Sequence, residues 1–258
     1  MKKPIIVGNW KLNGNKELIN KFFIPLNKFL EKYYKKSTVV IAPPILYAAF
    51  IQHIFSSNKR NFFIGAQNTD LHSSGPFTGE ISPSMLIDVE VDYVIIGHSE
   101  RRLYHQEDNE STAKKFYILK KENLIPIVCI GETLKEKRDN QIQEKCKNQI
   151  DEIFKICGSK HAFNNSIIAY EPIWAIGSGR SADPEEVQRI ANFIREYIEL
   201  KANSEIKNFF IQYGGSVTPD NVKQLISQKD IDGFLIGGAS LQLQEFTKII
   251  KIINQMYS

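Results

Sequence analysis

Eight short apolar, β-branched runs punctuate this chain, at residues 5–7, 38–42, 62–66, 93–97, 125–130, 167–170, 209–213 and 234–236, and each ends in glycine, proline or polar residues. Helical periodicity fills the segments between them. Leu18, Phe22, Phe23, Leu26, Phe29 and Leu30 share one face, as do Val187, Ile190, Ala191, Ile194, Tyr197 and Ile198. Strands that are apolar on both faces and alternate with helices belong to a parallel sheet, because every crossover lays a helix against it. Eight such units predict an α/β fold closed into a single (β/α)8 barrel with eight parallel strands over residues 1–258. An open, doubly wound sheet is the rival, but it would ask for a Gly-rich dinucleotide turn after the first strand. Gly8, Asn9, Trp10 and Lys11 stand there instead. No internal repeat, low-complexity tract or Pro/Gly-rich linker marks a second domain.

The 258 residues are 42% hydrophobic, enough for one large core. Lys and Arg number 33 against 29 Asp and Glu, a net excess of 4 with no block of like charge, which argues against nucleic acid as a partner. No run approaches the about 18 apolar residues of a membrane span. The apolar stretch after Lys2 and Lys3 covers only residues 4–7, too short for a secretory signal. Cys129, Cys146 and Cys157 are odd in number and lack metal-ligand spacing, so a reducing, cytoplasmic setting is expected. Cys129 reads as a small buried hydrophobe rather than a nucleophile. His53, His72, His105 and His161 show no ligand spacing with Cys or acidic partners, and no metal is expected.

In a barrel the chemistry belongs at the carboxyl ends of the strands. Glu171 follows residues 167–170 and precedes Pro172 and a loop reaching Gly177, Ser178 and Gly179. Position alone leaves two readings open: a base whose pKa rises when water is excluded, or a solvated strand-end carboxylate. His98 ends the fourth run, before Ser99 and Glu100, which read as the opening turn of a helix running through residues 113–119. A neutral imidazole facing that helix start would donate a hydrogen bond to a substrate oxygen; a packing histidine at a strand–helix corner is the alternative. Asn9 and Lys11 share one face of an extended segment, and Lys11 is either an oxyanion and phosphate partner or a surface lysine. Gly214, Gly215 and Ser216, with Gly237 and Gly238, occupy the last two strand ends, the usual phosphate site of this architecture. Lys114–Lys115 and Lys120–Lys121 read as solvated helix faces.

Strings spanning essentially the whole chain resemble one family. They are Gly8-Asn9-Trp10-Lys11, Gly65-Ala66-Gln67-Asn68, Phe77-Thr78-Gly79-Glu80, Gly97-His98-Ser99-Glu100-Arg101-Arg102, Cys129-Ile130-Gly131-Glu132-Thr133-Leu134, Tyr170-Glu171-Pro172-Ile173-Trp174-Ala175-Ile176-Gly177, Tyr213-Gly214-Gly215-Ser216-Val217 and Gly237-Gly238-Ala239-Ser240-Leu241. The resemblance is to the triosephosphate isomerases, and it implies a TIM barrel. It further implies interconversion of glyceraldehyde 3-phosphate and dihydroxyacetone phosphate through an enediolate, in glycolysis and gluconeogenesis, without a cofactor. By the same resemblance Asn9, Lys11, His98 and Glu171 are the substrate and catalytic residues, and Gly177, Ser216, Gly237 and Gly238 bind phosphate. It also implies a homodimer in which the loop containing Thr78 reaches the partner subunit. Glu100 matches a position near the site, with an ion pair to Lys11 the plainer role.

Three departures from the common family pattern are Ser178 for Thr, Arg180 for Lys, and Pro76 for Ala before the interface loop. Other phosphate-binding barrels, such as sugar-phosphate epimerases or aldolases, would share the glycine cradle but are not expected to combine Lys11, His98 and Glu171. A Schiff-base aldolase would need a lysine on a middle strand, and the runs from the fourth to the sixth contain none. A non-catalytic barrel would be expected to have lost one of the four positions.

Overall fold

A computed structural model describes residues 2–33, 36–55, 60–176, 181–206 and 208–257. Eight strands, β1 (Ile5–Asn9), β2 (Thr38–Ala42), β3 (Phe63–Ala66), β4 (Val91–Ile96), β5 (Ile125–Ile130), β6 (Ile167–Tyr170), β7 (Phe210–Tyr213) and β8 (Gly233–Ile236), pair in chain order into a closed parallel barrel. Closure is direct: β1 pairs with β8 in the register Ile5↔Gly233 to Gly8↔Ile236. The helices are α1 (Lys16–Leu30), α2 (Ala48–Ile54), α3 (Pro83–Asp88), α4 (Ser99–Tyr104) and α5 (Asn109–Lys121), then α6 (Leu134–Arg138), α7 (Ile142–Cys157), α8 (Pro184–Lys201), α9 (Val222–Ile226) and α10 (Leu243–Met256).

The period of two along each strand sorts side chains into two apolar layers. Ile5, Val7, Val40, Ala42, Tyr93, Ile95, Ile127, Cys129, Ile167, Ala169 and Leu235 fill the barrel interior as one cluster. Their neighbours in sequence, among them Ile6, Val39, Ile41, Val94, Val128 and Ile168, face outward and meet the helices in a second, larger cluster. Helix α1 shows how the outer layer assembles. Asn15 caps it by accepting from the Leu18 amide, and its buried stripe is Ile19, Phe22, Phe23, Leu26 and Leu30. Trp10, just past β1, packs edge-on against Phe22 at 5.0 Å and donates its indole N–H to the Ser240 carbonyl, tying the start of the barrel to its end.

Two expectations needed correction. The helix read from Ser99 through residue 119 is two helices, because Gln106 takes a positive φ of 55° and Asp108 starts α5 afresh by accepting from the Ser111 amide at 2.7 Å. Lys115 is buried rather than solvated: its ammonium bonds Glu107 Oε1 at 2.7 Å and Asn68 Oδ1 at 2.9 Å. Lys120 is also partly covered and donates to the Asn164 carbonyl, whereas Lys114 is exposed and pairs with Glu110. Cys129 is fully buried, and burial pushes its thiol pKa well up, as befits a core residue. No helix among the described residues is long and apolar enough to cross a membrane.

Candidate active site

At the carboxyl end of the strands lies a cavity of about 260 Å³, lined by Asn9, Lys11, His98, Glu171, Ser216 and both Gly237 and Gly238. Every sequence-predicted site residue is there except Gly177, which, with Ser178 and Arg180, lies outside the described residues. Ile176, Thr218, Leu235 and Glu245 also line it; sequence position hinted at this only for Thr218, past β7, and Glu245, in the first turn of α10.

Glu171 is 2% exposed. Its amide donates to the Ile130 carbonyl at 2.7 Å, which holds the end of β6 against β5. The side chain leans toward β4, where Oε2 accepts from the Ser99 amide at 3.1 Å and Oε1 stands 3.2 Å from His98 Nε2. On the other side is Gly214, where an added Cβ would come within 2.8 Å of Glu171 Cγ. The base candidate is therefore walled in and desolvated, not a solvated strand-end acid.

His98 forms the N-cap of α4, and its Nδ1 accepts from the Glu100 amide at 3.2 Å. A nitrogen that accepts an N–H carries no proton, so the neutral ring keeps its hydrogen on Nε2, the atom facing Glu171 and the cavity.

Lys11 has a positive φ of 51°. The extended segment that placed Asn9 and Lys11 on one face thus ends at Trp10, and a different device brings the two together: Asn9 Oδ1 turns back to accept the Lys11 amide at 3.0 Å. Gln67 holds the next carbonyl, Nε2 to Lys11 O, at 2.9 Å. Left-handed backbone in a lysine costs on the order of 1–2 kcal/mol, and these bonds offset it. The ammonium reaches Glu100 Oε1 at 2.6 Å, the ion pair expected from sequence. It also lies beside the glycine cradle, since a Cβ built on Gly237 would stand 3.5 Å from Lys11 Cε and 3.9 Å from Nζ. Gly238, which lines the cavity, opens a 3-10 turn through Leu241.

A profile of the family described as Triosephosphate isomerase matches residues 4–253. The chain belongs to this family. It is 68% identical over 254 residues to a triosephosphate isomerase of Buchnera aphidicola subsp. Cinara cedri (strain Cc), an alignment covering 98% of this chain and 100% of that one. With the triosephosphate isomerase of Blochmanniella floridana it shares 50% over 257 residues, covering 99% and 98% of the two chains. With that of Buchnera aphidicola subsp. Acyrthosiphon pisum (strain APS) it shares 50% over 258 residues, all of both.

Glu132 stands in one of the family-like strings, and its place in the sequence assigns it no role. In this member of the family its carboxylate is fully buried, accepts from Tyr170 Oη at 3.0 Å and from the Trp174 indole at 2.8 Å, and is held above the usual carboxylate range by burial, against the opposing effect of these bonds. It thereby anchors the first turn beyond Glu171, the 3-10 segment Ile173–Ala175.

Proposed function

We propose that Glu171, His98 and Lys11 carry out the triose phosphate isomerisation that membership of this family brings to the chain, with the chain acting as one domain. The division of labour is the one known for this family, a glutamate base and a neutral histidine in a site closed to water. Glu171 takes the proton from the carbon beside the carbonyl, and the electron pair moves into that carbonyl to give an enediolate. Nε2–H of His98 donates to the carbonyl oxygen, and the ring then passes protons between the two oxygens. Lys11 and Asn9 stabilise the developing negative charge, and Glu171 returns its proton to the neighbouring carbon. Atoms are conserved and no cofactor enters the balance. To act on substrate, the Glu171 carboxylate exchanges its bond with the Ser99 amide for the reacting carbon. Phosphate is assigned to the N–H groups around Ser216, Gly237 and Gly238, with Gly177 completing the cradle.

The carrying observation is the convergence of Glu171 and His98 at 3.2 Å in a pocket whose far wall is a glycine cradle beside Lys11. A proton-transfer pair and an anion site lining one cavity of about 260 Å³ suit a short phosphorylated carbonyl compound.

The active form is assigned as a homodimer in the cytoplasm. A second cavity of about 600 Å³ adjoins the site through Asn9, Lys11 and His98, and extends over Gln67, Gly79 and Glu80. Leu12, 96% exposed, lines it, and Leu46 and Tyr104, the chain neighbours of its lining residues Ile45 and His105, stand exposed too. The loop bearing Thr78 projects from this face, with Phe77 stacked on His72 at 3.6 Å. Such an apolar surface, continuous with a catalytic pocket, suits a second copy whose Thr78 loop completes the site.

One experiment tests these assignments. Purified protein is assayed for conversion of glyceraldehyde 3-phosphate to dihydroxyacetone phosphate beside a Glu171→Asp variant, with sedimentation of the same samples. Rapid turnover, a kcat lower by on the order of 10²-fold or more in the variant, and a mass of two chains are expected. Equal rates would remove Glu171 as the base, and an active single chain would remove the dimer.

A further inference from the structure

The groups that touch substrate are held in place by others, and the turn presenting His98 has an unusual support. Gly97 takes a φ of 64°, and a Cβ there would fall 2.6 Å from Thr112 Cγ2 and 2.8 Å from Arg102 Nη2. The guanidinium of Arg102 thus occupies the space directly beneath the residue preceding His98. All three of its nitrogens are used. Nε donates to the Gly97 carbonyl at 2.7 Å, Nη1 to Asn109 Oδ1 at 2.8 Å, and Nη2 to the Cys129 carbonyl at 3.3 Å.

We propose that Arg102 is a positioning residue for the reaction: it fastens the β4 turn that carries His98 to β5, the strand whose Ile130 carbonyl holds the Glu171 amide, and so fixes the spacing between acid and base. Two carbonyls are bridged, one from each strand, at the point where the ladder between β4 and β5 has ended at Ile96↔Val128. Beyond it β4 leaves the sheet at Gly97 while β5 runs on through Ile130 against β6, and Arg102 bridges β4 and β5 where their ladder bonds stop. Glu171 leans on the same support, because its amide bonds Ile130, next to Cys129. Asn109, at the start of α5, holds the fork from the far side, so the second helix after β4 takes part in aiming the first. A planar fork with fixed donor directions suits this task, and a lysine, with one mobile ammonium, cannot span both carbonyls and Asn109 together.

The proposal rests on His98 acting as the acid, and the test separates the two. Arg102→Lys, Asn109→Ala, His98→Gln and the double variant Arg102→Lys/His98→Gln are compared for kcat, KM and thermal midpoint. Arg102→Lys is expected to lower kcat by about 10–10²-fold with KM changed less than threefold, as a misaimed group does. Asn109→Ala, which leaves Arg102 in place, is expected to lower kcat by a smaller factor in the same pattern. In the His98→Gln background, replacing Arg102 is expected to cost much less, since the group it aims is gone. Arg102→Lys with wild-type kcat, or with the same loss in both backgrounds, overturns the proposal and leaves Arg102 a purely structural residue. Should Arg102→Lys fail to fold, Asn109→Ala at wild-type kcat overturns it. A fully active His98→Gln instead removes the assignment of His98.

Discussion

Glu171 has almost no lateral room, since Gly214 lies against its side chain where any Cβ would stand 2.8 Å from Cγ. In Gly214→Ala the flexible carboxylate gives way before the barrel does. Steady-state kinetics are expected to show kcat down by about 10–10²-fold with KM little changed and the fold intact. An unchanged kcat would mean that Glu171 tolerates displacement. At this scale the place of Asn9, Lys11, His98, Glu171, Gly214, Gly215, Gly237 and Gly238 around one cavity was legible, because they stand at or just beyond the ends of apolar runs and the barrel mouth gathers those positions. Lys115 was not: beside Lys114 in the same helix it has the same local sequence signature, and only Glu107 and Asn68, brought in by the fold, make it a buried cation. Glu132 and Arg102 were hidden for the same reason, being defined by partners 38 to 42 residues away or by carbonyls on another strand.

Among elements, the 3-10 segment Ile173–Ala175 depends on side chains from outside itself. Glu132 accepts the Trp174 indole N–H, while Lys137 of α6 stands 3.9 Å from the ring and bonds Glu186 in the first turn of α8 at 2.7 Å. One lysine therefore links the chain before residues 176–183 to the chain after them. Trp174→Phe keeps an aromatic face for Lys137 but leaves the buried Glu132 one donor short, a loss of about 1–3 kcal/mol. Urea titration is expected to show a lower midpoint at unchanged slope, and an unmoved midpoint would mean that the bond to Glu132 contributes nothing. The strands were legible to within two residues at either end because their apolar runs are short and sharply bounded. The split between α4 and α5 was missed because neither glycine nor proline announces it; the left-handed residue is Gln106.

Over the whole molecule, the barrel followed from counting eight alternating units, and its parallel order from strands apolar on both faces. Acid stability belongs to this scale too. Burial raises the Glu107 pKa, but the hydrogen bonds and charges of Lys115 and Arg101 outweigh it and hold the carboxyl below its ordinary value of 4.5. A depressed carboxyl contributes stability that is complete above pH 4.5 and is lost as pH falls through the depressed value. Glu107→Gln leaves Lys115 buried without its counter-charge, a loss of about 3–5 kcal/mol at neutral pH. Thermal midpoints between pH 7 and pH 3 are expected to start lower in the variant and to fall less steeply toward acid. Parallel curves would assign the acid limb to other carboxylates.

Pairing of β1 with β8 also orders events during synthesis. The Gly237 backbone beside Lys11 is made more than two hundred residues after it. A nascent chain ending before β8 has an open sheet edge and half a site. Such a chain holds Lys11 without the Gly237 backbone beside it, so the cavity and barrel closure appear together, only once β8 has been made.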